Sequence, residues 1–152
     1  MRTVRVAETF AVTVHEAETA WYDTTRWSNW VDGLERVLDV RGEWPQQGMV
    51  TWQSGPAGRG HVTERVVAHE ALRGQALQVE DDSIRGHQHV SFTPVDGAVE
   101  ITLSLEYEIK ERSIVTPLVD VLFIRRAIAT SLRRTLDRFG AELAAARRAD
   151  VG

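Results

Sequence analysis

The sequence predicts an α+β domain: a seven-stranded antiparallel sheet, two short helices between strands 1 and 2, and one long C-terminal helix. Three observations predict it. Residues 97–110 alternate throughout, with Val99, Ile101, Leu103, Leu105, Tyr107 and Ile109 set against Glu100, Thr102, Ser104, Glu106, Glu108 and Lys110. Such alternation gives a strand one wet and one buried face, the mark of an antiparallel sheet. Beyond Thr116 the apolar period lengthens to that of a helix, with Val121, Ile128, Leu132, Leu136, Phe139 and Leu143 on one stripe. The chain has 152 residues, 43% of them hydrophobic and 26% charged, enough for one core and one domain over residues 1–149.

The first strand is predicted over 3–14, where Val4, Val6, Phe10, Val12 and Val14 share one parity and only Glu8 interrupts them. Ala17, Ala20, Trp21 and Tyr22, then Trp27, Trp30 and Val31, fit two short helical pieces, and Asp32-Gly33 ends them in a turn. Five strands follow at 34–43, 48–54, 60–69, 74–81 and 86–94, parted by Gly, Pro, Asp and Ser clusters. Asp96-Gly97 is a two-residue hairpin signal before the seventh. Thr116 suits a helix N-cap and Pro117 the first helical position. A helix reaching residue 148 would be about 48 Å long, against a radius of gyration of about 15 Å for a domain of this size. A bend near 123–127, or an overhanging end, is therefore expected.

Composition removes several classes of function. With no cysteine, disulfide frameworks, thiolate metal sites and cysteine nucleophiles are excluded. A net charge of −4 speaks against nucleic acid as a partner. No apolar run approaches a membrane span, and Met1-Arg2-Thr3-Val4 leads directly into strand alternation, so a cytoplasmic protein is expected. His87 and His89 share one strand face, but with Ser91 rather than with Val90 and Phe92, so they read as solvated residues. No zinc motif, phosphate loop or Ser/His/Asp signature occurs, and neither a metal nor a cofactor is expected.

Four features together resemble the START-like superfamily, also called SRPBCC or the birch-pollen-allergen-like helix-grip fold, in its polyketide cyclase/dehydrase-type branch. They are the helix start at Ala17–Trp21, the run Trp27-Ser-Asn-Trp30 leading into Gly33-Leu-Glu-Arg-Val37, the turn Pro94-Val-Asp-Gly97, and the terminal Leu132, Leu136, Leu143 helix. The resemblance implies a sheet curled around the C-terminal helix. It also implies an apolar cavity between them that binds or cyclises polyketides, sterols, lipids or aromatic rings.

Parity then nominates the site residues. Glu8 lies in phase with apolar strand positions, as do Glu64 with Val62 and Val66 and Gln88 with Val90 and Phe92. A carboxyl aimed into an apolar cavity has its pKa raised by desolvation and becomes a candidate general acid, so Glu8 and Glu64 are the candidate catalytic residues. The competing reading of Glu8 is a position near the sheet rim, or a bulge that rotates it outward to pair with an arginine. Trp30 and Trp52 are expected nearer the cavity and Trp27 nearer the shell. Phe10, Phe92, Leu103, Leu122 and Ile128 complete the expected ligand contacts, with Gln88 and Tyr107 orienting oxygens. The run Leu118, Val119, Val121, Leu122, Phe123 and Ile124 suits a gate or a homodimer contact. Two functions compete: a cyclase or dehydratase, and a non-catalytic carrier or sensor. A protein-interaction module is the third reading.

Overall fold

The computed structural model describes residues 1–55, 60–110 and 118–151. Its elements run β1 (Arg2–Phe10), α1 (Val14–Tyr22), a 3-10 helix (Thr24–Asn29), β2 (Leu34–Arg41), β3 (Met49–Ser54), β4 (His61–Glu70), β5 (Gly74–Glu80), β6 (Ile84–Val95), β7 (Ala98–Ile109) and α2 (Leu118–Val151). The strands form one antiparallel sheet of seven in the order β1-β7-β6-β5-β4-β3-β2, open at both edges. Strands β2 to β7 pair with their chain neighbours, and β1 returns to lie beside β7.

Local chemistry sets most boundaries. The first strand stops at Phe10, four residues before the alternation does, because Thr13 and Glu16 form a capping box. The Thr13 hydroxyl accepts from the Glu16 N–H at 3.1 Å, and Glu16 accepts in return from the Thr13 N–H at 3.2 Å. Two helical N–H groups are satisfied there, so the alternating Val12 and Val14 yield to a helix start. Val67 breaks the parity of β4 because the register shifts between Val66 and Ala68, which leaves it exposed. At the β6–β7 hairpin, Asp96 and Gly97 both take positive φ, 47° and 81°, as a tight two-residue turn requires.

Helix α2 runs as one unbroken element of 34 residues, about 51 Å long. No break occurs at 123–127, and the other expected outcome, an overhanging end, is the one found. Leu122 and Phe123 are 51% and 72% exposed, while Leu136 and Phe139, farther along, are fully buried against the sheet. Thr116 and Pro117 lie outside the described residues. Gly140 lets α2 approach β1, since a Cβ there would stand 3.0 Å from the Phe10 ring. Three ion pairs tie the helix to the segment between β1 and β2: Arg138–Asp32 at 3.1 Å, Arg26–Glu142 at 2.8 Å and Arg147–Glu16 at 3.2 Å.

Candidate functional site

Between the concave face of the sheet and α2 lies a cavity of about 80 Å³. Its floor is laid by inward residues of neighbouring strands. Trp52 stands opposite Val62, Glu64 opposite Val79, and Leu77 opposite Gln88, which in turn faces Leu105. Its roof is Ile128, Ser131, Leu132 and Thr135, which project at helical spacing from α2. Trp21, Trp27 and Trp30 close one side. They are held by the short helices: the Trp27 indole donates to the Trp21 carbonyl at 2.9 Å, and Trp30 packs on Trp21 with ring centroids 4.8 Å apart.

The wall is mainly indole and aliphatic, with polar groups set into it. Glu64 is only 7% exposed. Asp81 is buried too, and its carboxylate accepts from the N–H groups of Ser83 and Ile84 at 2.7 and 2.9 Å. Gln75 donates from Nε2 to the Pro45 carbonyl at 3.0 Å, while its Oε1 is buried without a partner among the described residues. The Trp30 indole N–H is in the same position. Thr135 uses its hydroxyl to accept from the Asp32 N–H at 3.0 Å. At the margin, Glu80 pairs with Lys110 at 3.2 Å.

Of the residues nominated by parity, Glu64, Trp30, Trp52, Gln88, Leu103 and Ile128 line this cavity together. Trp27, expected in the shell, lines it as well. The others lie elsewhere. Phe10 packs edge-on against Phe139 at 5.7 Å, and Phe92 against Trp21 and Tyr22 at 6.3 and 6.1 Å. Tyr107 is fully buried on β7, its hydroxyl without a partner among the described residues, and outside the cavity lining. Leu122 is exposed on the overhang.

Glu8 is the instructive displacement. It does occupy the inward parity of β1, but β1 is an edge strand, so Glu8 meets the flank of α2 in a separate groove with Arg5, Arg133 and Asp137. Burial, then a hydrogen bond with Asp137 and the like charge of Asp137, push its carboxyl above the ordinary range. Gln75 and Thr135 were not nominated. Gln75 was within reach of the same parity rule, being in phase with Leu77 and Val79 on β5. Thr135 lies one turn on from Ser131 and Leu132, and only the placement of the roof singles it out.

The family model for "Polyketide cyclase / dehydrase and lipid transport" matches residues 1–144. The chain belongs to that family. Solved structures agree on the fold of this family member. The Zhui aromatase/cyclase from Streptomyces sp. R1128 superposes with a TM-score of 0.80 at 13% identity, covering 94% of this chain and 93% of that one. A START superfamily protein from Mycobacterium smegmatis gives 0.73 at 12% identity, over 93% and 97%. Norcoclaurine synthase from Thalictrum flavum, in complex with dopamine and hydroxybenzaldehyde, gives 0.71 at 13% identity, over 94% and 86%. No curated protein sequence matches the chain. Among the described residues no helix is long and apolar enough to cross a membrane.

Proposed function

We propose that this family member binds a small, flat hydrophobic molecule, aromatic or polyketide-like, between the sheet and α2, and that Glu64 handles a proton on it. The observation that carries the reading is a carboxyl group, 7% exposed, in a wall made otherwise mostly of indoles and aliphatic side chains. Indole faces suit stacking on a planar ring. On a ring bearing a carbonyl, the Glu64 carboxylate takes a proton from the adjacent carbon and returns one to the oxygen, so that a ketone becomes its enol. Cyclisation and dehydration of poly-keto chains both pass through such transfers, and the family description names both reactions.

Size sets a condition. A cavity of about 150 Å³ accommodates benzene, whereas this one measures about 80 Å³. A ring therefore enters only as a wall yields. The N-terminal third of α2 is the wall least held, with Leu122 and Phe123 exposed and Ile124 and Ile128 only half-buried.

Binding is tested by titrating 2-naphthol while following the five tryptophan indole N–H resonances by NMR. The signals of Trp21, Trp27, Trp30 and Trp52 are expected to move, and that of Trp44, outside the lining, to move least. A response confined to Trp44, or none at all, would remove the reading. Proton handling is tested with 2-tetralone in D₂O: the protein accelerates exchange at its α-carbons, and Glu64→Gln abolishes the acceleration. Binding that persists with no acceleration in the wild type would leave a carrier or sensor.

A further inference from the structure

We infer that the cavity selects a ligand presenting a hydroxyl group, a phenol or an enol, over one presenting only a carbonyl or ether oxygen; this rests on the binding reading above. Two buried polar atoms, on residues that line the cavity, carry the inference. Gln75 is 5% exposed, and its Nε2 donates to the Pro45 carbonyl at 3.0 Å, an anchor that orients the amide and leaves Oε1 as a buried acceptor with no partner among the described residues. Trp30 is 1% exposed, and its indole N–H is a buried donor with no partner among the described residues. Native proteins leave few such atoms unsatisfied, because each has lost its water without a replacement.

The two orphans are of opposite kind, and both residues line one small cavity. A hydroxyl is the smallest group that serves both: its O–H donates to Gln75 Oε1 and its oxygen accepts from the Trp30 indole. A carbonyl or an ether satisfies Trp30 alone and keeps the Gln75 acceptor buried and unpaired. A keto form bound here is therefore less favoured than its enol, and the pair Gln75 and Trp30 positions the oxygen toward which Glu64 chemistry runs.

The test compares 2-naphthol with 2-methoxynaphthalene, which keeps the oxygen, loses the donor and adds one methyl group, so the Gln75→Met ratio separates the lost donor from the added bulk. On the wild-type protein 2-naphthol is expected to bind about tenfold or more tightly, the cost of one buried unpaired acceptor. Gln75→Met removes that acceptor and brings the ratio close to one without weakening the methoxy compound. Trp30→Phe removes the donor both oxygens use and weakens both probes alike. Equal affinities on the wild type, as when an ordered water serves the two atoms, overturn the inference while the binding reading stands; so does a ratio that survives Gln75→Met. Should neither probe enter the cavity, the binding reading fails and this inference falls with it. Were Gln75→Met to misfold, Gln75→Leu, which also lacks the acceptor, would be measured in its place with the same two outcomes.

Discussion

The two ends of α2 are built on opposite terms. Toward its C-terminal half, Phe139 is fully buried, with its ring centroid 5.7, 5.0 and 4.8 Å from those of Phe10, Trp21 and Trp30. Toward its N-terminal third, Leu122 and Phe123 face outward, Ile128 is half-buried, and the space beneath is a hollow whose lining residues Gln75 and Trp30 each keep a buried polar atom without a partner among the described residues. One helix is thus closely packed at one end and roofs a hollow at the other. The difference teaches that packing is not spread evenly along one helix: it is full around Phe139 and leaves a hollow beneath Ile128.

Substitutions at the two ends should behave accordingly, and the largest effect belongs to the closely packed end. Phe139→Ala is expected to cost about 3–5 kcal/mol, seen as a drop of roughly 10–15 °C in Tm. A loss under about 1 kcal/mol would erase the contrast. Ile128→Ala, in the roof, should cost only about 1–2 kcal/mol, and by enlarging the hollow it should tighten 2-naphthol binding several-fold in a calorimetric titration. Weaker binding would mean that Ile128 holds the ring rather than obstructs it.

The smaller effects lie outside the cavity. Because the folded state holds the Glu8 carboxyl above its usual value of 4.5, the folded chain binds more proton there than the unfolded one. Stability from this group is greatest below the unfolded pKa and is lost as pH rises through the folded value. Glu8→Gln removes that loss, so its Tm should exceed the wild type by about 2 °C at pH 7 and converge with it below about pH 4. An offset that is constant with pH would separate the effect from ionisation. Phe123→Asp should change Tm by about 1 °C or less and leave 2-naphthol affinity unaltered. A fall in sedimentation mass would instead mark the overhang as a contact between two copies of the chain.

Much of this was legible in the residues, and the failures have separate causes. Alternation placed Glu64, Gln88 and Leu103 on the inner face, and the structure brings all of them to the cavity. Alternation placed Glu8 inward as well, but parity names a face and not a position across the sheet. The return of β1 to pair with β7 is a long-range event, and it carries Glu8 to the sheet edge, away from the hollow. The strand over 3–14 was overrun for a local reason, a Thr-x-x-Glu cap overriding two β-branched residues. Length weighed against a compact domain left a bend or break and an overhanging end both open for α2, and the exposed Leu122 and Phe123 of the unbroken helix show the second. Gln75 needed no new rule, only the same parity applied to a polar residue on β5.

The most direct test is a crystal structure of the protein grown with 2-naphthol. The account predicts the ring between the tryptophans and the roof of α2, with its hydroxyl within hydrogen-bond reach of Gln75 Oε1 and the helix displaced near Ile128. A ring bound in the groove beside Glu8 or against exposed Phe123, with the hollow unchanged, would contradict it.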